Sequence, residues 1–330
     1  MPIHQRHGRT CRRGSPQNVT CTNASSDALF PTTTMPPLPL PAPTADQAHF
    51  TVSALEAGYI VLAEKLFVTN ADPTIARRCP SLSFLLTHSR TGKRILFDLG
   101  IRKDHASSTG FPPATQAMVK QFYPMDVPRD VGDSLRSGGL ELEEVDYVLI
   151  SHLHFDHVGD PSVFPRATFL LGAGGCALLE NGYPKDPTSN FDAHLLPEDP
   201  ARTRWLDPTS DGWRPLGPFE RALDFFDDGS LYIVDSQGHI PGHINALVRT
   251  EGGWVYLAGD TAHDIRLMTG EREVLYDAHY GCAHVDKDVA VDHIRRVRSL
   301  KTDYGVEYIL AHAYKFEEMH KEGYFPGRLF

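Results

Sequence analysis

A layered α/β domain with its chemistry at strand ends is the fold class the sequence predicts, and three observations carry it. From Ala45 onward, apolar runs of strand length alternate with turn signals. Two helical stretches, over Val131–Arg136 and from Asp286 or Asp288 to near Leu300, are each followed directly by a short buried-looking strand. Those strands, Val145–Ile150 and Val306–Ala311, run straight into Ser151-His152 and His312.

The elements follow in order. His49–Leu55 alternates apolar and polar positions, Tyr59–Leu62 and Ser83–Leu86 are short apolar runs, and Arg94–Asp98 ends in Asp98-Leu-Gly100, so the opening is β-rich. Asp130 offers an N-cap to the first helix, and Gly138 and Gly139 stop it in the left-handed conformation that glycine adopts at low cost. The segment from Cys176 to Gly229 is rich in Pro, Asp and aromatics and reads as a loop-rich insertion near 176–229, too irregular for a sheet. Its aromatics, Phe191, Trp205, Trp213 and Phe219 among them, are expected mainly to pack the loop onto the body. In the second helix Ala290, Ile294 and Val297 share one face, with acids at its start and Arg295, Arg296 and Arg298 toward its end, as the helix dipole favours.

Residues 1–44 read as a disordered Arg/Pro-rich leader ahead of a single domain over 45–330. Eight of the 25 prolines lie there, and Met35–Pro43 can only be extended or polyproline-like. The leader's Arg and Ser/Thr content resembles a mitochondrial transit peptide but lacks the amphipathic apolar face, and no apolar core of a secretion signal is present, so a cytoplasmic location is expected. Met35 offers an alternative start, and the glycosylation patterns at Asn18 and Asn23 are read as chance.

Composition excludes several classes. With 41% hydrophobic and 22% charged residues the chain is globular, and no apolar run approaches the ~18 residues of a membrane span. The net charge of -10, carried by the body against a basic leader, disfavours nucleic acid as a partner. Five cysteines without metal spacing argue against a disulfide framework and for a reducing compartment. Seventeen histidines are the unusual count, and imidazole is the commonest metal ligand.

They cluster in Ser151-His152-Leu-His154-Phe-Asp156-His157, placed just after a strand and followed by Gly159. Mixed nitrogen and oxygen donors on such a turn can point two ways and feed two metals roughly 3.5 to 4 Å apart.

This loop resembles the His-x-His-x-Asp-His loop of the metallo-β-lactamase-fold superfamily, and the later landmarks stand in the same order: Gly238-His-Ile-Pro-Gly-His243, Gly259-Asp260 and Ala311-His312. The stretch Val131–Asp160 and the strand in Pro80–Leu86 are most similar to the N-acyl-homoserine lactonase-like branch, which includes fungal lactone and lactam hydrolases. The resemblance implies a four-layer αββα sandwich with metals at strand ends along one edge. It implies two zinc ions, with iron or manganese as alternatives: one held by His152, His154 and His243, the other by Asp156, His157 and His312, with Asp260 shared and Asp98 orienting the loop. In the Gly238–His243 segment it points to His243, not His239, as the ligand.

The implied reaction is the opening of a small-molecule lactone, lactam or related cyclic ester or amide by a metal-bridging hydroxide, with Asp156 and Asp260 also acting in catalysis. One departure matters: where the lactonases carry a tyrosine three residues after the shared aspartate, this chain has His263, which is expected to supply the same hydrogen bond to the substrate carbonyl. A thioester hydrolase of the glyoxalase II or polyketide-releasing kind is the alternative on the same ligands. A mono-iron oxygenase and a metal-stabilised binding protein are further readings, and the oligomeric state is left open.

Overall fold

The computed structural model describes residues 38–330. The alternative start, both glycosylation patterns and most of the leader therefore lie outside the described residues. The first half of the chain forms β1 (Phe50–Leu55), β2 (Tyr59–Ala63), β3 (Ala76–Pro80), β4 (Ser83–His88), β5 (Arg94–Phe97), α1 (Pro113–Phe122), β6 (Met125–Asp126), α2 (Val131–Ser137), β7 (Tyr147–Leu149), β8 (Thr168–Gly172) and α3 (Cys176–Glu180). The second half forms β9 (Thr203–Leu206), β10 (Trp213–Leu216), β11 (Phe219–Asp224), β12 (Leu231–Asp235), β13 (Ile244–Thr250), β14 (Gly253–Leu257), α4 (Ile265–Thr269), α5 (Lys287–Tyr304), β15 (Glu307–Ile309) and α6 (Phe316–Met319).

Two six-stranded sheets, ordered β1-β4-β5-β7-β8-β9 and β10-β11-β12-β13-β14-β15, stack face to face, and β3-β2-β6 form a small third sheet. Alternation explains the stacking. Phe50, Val52 and Ala54 of β1, with Phe84 and Leu86 of β4, point between the sheets to meet Ile233, Ala246, Val255 and Leu257. The outer faces are apolar as well, because each is covered: Leu85, Leu96, Val148 and Phe169 pack with Val131 and Leu135 of α2, and Leu247 and Tyr256 with Ile294, Val297 and Leu300 of α5. Helix, sheet, sheet, helix is the expected four-layer order.

The caps behave as the residues suggest. Asp130 accepts from the Asp133 N–H, Asp286 from the Val289 N–H, and α5 stops at Gly305 with φ 68°. After α2 only Gly139 is left-handed, at φ 86°, while Gly138 keeps an ordinary φ of -88°.

Two expectations are corrected. The segment near 176–229 is not wholly irregular: β9 edges the first sheet, and β10 and β11 edge the second. Trp213, Leu216, Phe219 and Ala222 are buried, so the pattern is a short hairpin whose alternation Pro215 and Pro218 interrupt. The leader boundary also moves. Residues 38–44 carry no helix or strand, yet Tyr304 Oη donates to Leu38 O at 3.0 Å, Arg249 Nη2 donates to Pro41 O at 2.8 Å, and Leu40 packs on the core. A chain starting at Met35 is expected to melt with the full-length protein. One starting at Ala45 strips a buried guanidinium of an acceptor, and thermal unfolding should register a loss of about 1–3 kcal/mol.

Candidate metal centre

The site forms where β5, β7, β12, β14 and β15 end. Asp98 follows β5 at φ 60°, fully buried, a conformation that Asp tolerates better than most side chains. Its Oδ1 accepts the Ser151 N–H at 2.6 Å, and its Oδ2 accepts the Ser151 hydroxyl at 2.7 Å and His157 Nδ1–H at 2.8 Å. Backbone bonds add to this: Asp98 N–H to Leu149 O, Leu99 N–H to His157 O and Gly159 N–H to Gly100 O, all at 2.8–2.9 Å. The ligand-bearing turn is thus stapled at both ends to the residues after β5.

Two groups of donors result. His152, His154, His239 and Asp260 form the first, and Asp156, His157 and His312 the second. In the first group the three imidazole centroids make an equilateral triangle with 4.7 Å sides. Asp260 faces both groups: Oδ2 lies 3.4 Å from His239 Nε2 and 3.7 Å from His152 Nε2, while Oδ1 lies 3.3 Å from both His157 Nε2 and His312 Nε2. His312 Nε2 is also 3.3 Å from Asp156 Oδ2, and its Nδ1 donates to Pro80 O, which sets its tautomer.

His243, expected as a ligand, is elsewhere. Its Nδ1 donates to Ser236 O at 2.8 Å and its Nε2 accepts the Asp260 N–H at 3.2 Å, which leaves it outside both groups of donors. The third corner is His239. Gly238, at φ 120°, brings this segment against the start of α5, where a side chain would strike the Ala290 backbone at 2.4 Å. Val285 N–H and Asp286 N–H then bind His239 O and Gly238 O, which turns His239 inward. His263 also has a different partner from the expected one. Its Nε2 is 3.1 Å from Asp260 Oδ2 and its ring stacks on Phe67 at 4.5 Å, so it addresses the shared carboxylate and not open space.

Protonation separates the groups. Burial holds His154 down to about 4 and keeps His152 and His239 well below the ordinary imidazole value, so all three are neutral. Burial also opposes charge on His157 and His312. There the carboxylates outweigh it: Asp260, Asp98 and Asp156 lift His157 to about 10, and Asp260 and Asp156 raise His312 well above the ordinary range.

The donor set fits transition-metal ions. His157 Nε2 and Asp260 Oδ1 are both buried without a hydrogen bond of acceptable geometry, as a pair shaped for a cation between them would be.

Sequence reasoning missed two neighbours. His284 is buried with its ring 5.1 Å from that of His239, and Tyr123, at the end of α1, packs on Phe155 of the ligand turn. Neither lies in a motif. Beside the turn opens a cleft walled by Phe111, Leu153, Phe155, Leu179 and Phe191, with Arg102 at its polar end.

The model of the metallo-beta-lactamase superfamily matches residues 76–312, from β3 to the last histidine of the site. The chain belongs to this superfamily. Among metallo-beta-lactamase-fold structures, an N-acyl homoserine lactone hydrolase is similar over 85% of this chain and 99% of its own, with a TM-score of 0.63 at 17% identity. A gamma-lactamase of Fusarium pseudograminearum is 36% identical over 56% of this chain and 45% of its own length. A protein of Penicillium brevicompactum named as a cytochrome P450 monooxygenase is 33% identical over 64% of this chain but only 25% of its own. The chain thus spans between a quarter and half of those two relatives. No described helix is long and apolar enough to cross a membrane.

Proposed function

We propose that this metallo-beta-lactamase-fold chain is a two-metal hydrolase that opens a small cyclic ester or amide, with γ-lactams and γ-lactones as the first substrates to test. The observation that carries the reading is Asp260, whose two oxygens are divided between two donor groups. The likeness to a gamma-lactamase supports the choice of ring. Bound in the two groups, zinc, iron or manganese ions would lower the pKa of a shared water toward about 7 and polarise a ring carbonyl.

The residues do the rest. His152, His154 and His239 would hold one ion, and Asp156, His157 and His312 the other. Asp260 faces both groups, and its negative charge would offset part of the repulsion between two cations. His243 Nε2 accepts the Asp260 N–H, and His263 Nε2 stands 3.1 Å from its carboxylate, so both buttress it. To Asp156, 3.3 Å from His312 Nε2, we also assign the proton released when water attacks.

Elemental analysis followed by a screen of γ-lactones, γ-lactams and carrier thioesters tests the proposal. Two metals per chain with ring opening is the expected result. Cleavage of thioesters alone would replace the reading with a thioester hydrolase, and a single metal under replete conditions with a mono-iron oxygenase.

The two groups should also load differently. A metal displaces no proton from the neutral His152, His154 and His239, whereas His157 and His312 must each release one. Protons therefore compete only at the second group, and its affinity should climb by up to about tenfold per pH unit per displaced proton until pH approaches 10. Zinc titration is expected to give one tight ion near pH 6 and two near pH 8. Equal filling of both at pH 6 would contradict this asymmetry.

Mutation separates the two histidines of the Gly238 segment. His239→Ala should remove the first ion, while His243→Ala, which only frees the Asp260 backbone, should weaken metal binding by about 10- to 100-fold. Metal content after dialysis distinguishes them.

A further inference from the structure

We propose that Tyr123 is the group that donates a hydrogen bond to the ring carbonyl oxygen as it becomes an oxyanion, the part the sequence assigned to His263. The inference rests on the hydrolase reading above. His263 is committed elsewhere in the observed arrangement, with its Nε2 3.1 Å from Asp260 Oδ2 and its ring stacked on Phe67.

Tyr123 has the right position and freedom. It closes α1, where its N–H binds Val119 O at 2.9 Å, and the next carbonyl, Pro124 O, accepts the Val61 N–H of β2 at 2.8 Å. The backbone on both sides is therefore fixed. The ring lies 6.0 Å from that of Phe155, which stands between His154 and Asp156 and is itself 5.6 Å from Phe111 of the cleft. So the ring of Tyr123 packs on the ligand-bearing turn at Phe155, a residue that also lines the apolar cleft. Among the described residues its hydroxyl has no hydrogen-bond partner, while the charges of Asp156 and Asp260 both reach it.

Burial first, and then those two carboxylates, push its pKa up to about 12. Tyr123 thus keeps its proton at any working pH and acts as a donor, not a base. No proton leaves it in the step. Water adds to the carbonyl carbon, the ring C–O or C–N bond breaks, and the proton that water gives up ends on the departing oxygen or nitrogen.

Tyr123→Phe keeps the ring and removes only the donor. On the best γ-lactone or γ-lactam it is expected to lower kcat by on the order of 10² to 10³, with KM and zinc content unchanged. Affinity for a cyclic phosphonate ester, whose tetrahedral oxygens mimic the oxyanion, should fall by a similar factor in calorimetry. His263→Ala should behave differently and lose zinc. If the wild type opens rings and Tyr123→Phe retains both its kcat and its phosphonate affinity, Tyr123 is a packing residue and the proposal is wrong. If the wild type opens no ring, the hydrolase reading fails first and the role of Tyr123 falls with it.

Discussion

Replacing Asp260 by Ala is expected to leave less than one metal ion per chain and to lower ring opening by on the order of 10³ or more, the several kcal/mol that metal ions supply to a developing charge. Asp260 divides its carboxylate between the two donor groups, with one oxygen at 3.4 Å from His239 and the other at 3.3 Å from His157 and His312. Without it, two cations would face each other with no negative charge between them. The loss should extend to the first group, although that group keeps its three imidazoles. Asp260→Asn keeps the shape but halves the acceptors and removes the charge, and should stand closer to the Ala variant than to the wild type. Elemental analysis alongside turnover checks both. Retention of one full ion by the Ala variant would mean that Asp260 serves only the second group.

The second large effect is at Asp98, which belongs to neither donor group but holds His157 of the second. Asp98→Ala leaves three buried donors, the Ser151 N–H, the Ser151 hydroxyl and His157 Nδ1–H, without their acceptor. Breaking a buried charged pair typically costs about 3–5 kcal/mol, and losing a partner that orients a metal-binding histidine about 10- to 100-fold in affinity. In chelator-treated protein the stability defect should depend on pH. His157 is raised from an ordinary value of 6.5 to about 10, so its pairing contributes fully below about pH 6.5 and fades as pH rises through 10. The gap between wild type and variant in urea unfolding should therefore be widest at pH 6 and narrow toward pH 10. A gap that widens with pH would place the stabilisation in some other group.

How much of this was legible depended on how local the signal was. The ligand turn lies in one short stretch, and its strand, its turn and its mixed donors can all be read there. Asp260 and His312 were legible by following strands. That His239 and not His243 stands in the first donor group was not, because only three residues lie between them on one turn. It was decided by the contact of Gly238 with the start of α5, some fifty residues later in sequence. The hairpin β10–β11 was missed for the opposite reason: two prolines and short strands imitate a loop, and only the neighbouring strand β12 reveals the pairing. Tyr123 left no trace in the sequence, since nothing near it in the chain hints at chemistry. His263 was found as a departure, but only its distance to Asp260 shows what it addresses.

The cleft beside the turn draws most of its wall from segments that hold no donor group: Arg102 to Pro112 before α1, and Leu179 to Leu195 after α3. Only Leu153, Phe155, Val158 and Gly159 belong to both surfaces. Selection can therefore rewrite the wall, by substitution or by insertion in those two segments, without disturbing Asp98, the stapled turn or Asp260. For the hydrolase proposed above, with its substrate in this cleft, recognition and reactivity would sit on separately inheritable stretches of one chain. A descendant with a new substrate should differ from this protein mainly in those stretches, and grafting both of them, not either alone, is the shortest route by which an engineer could move its preference.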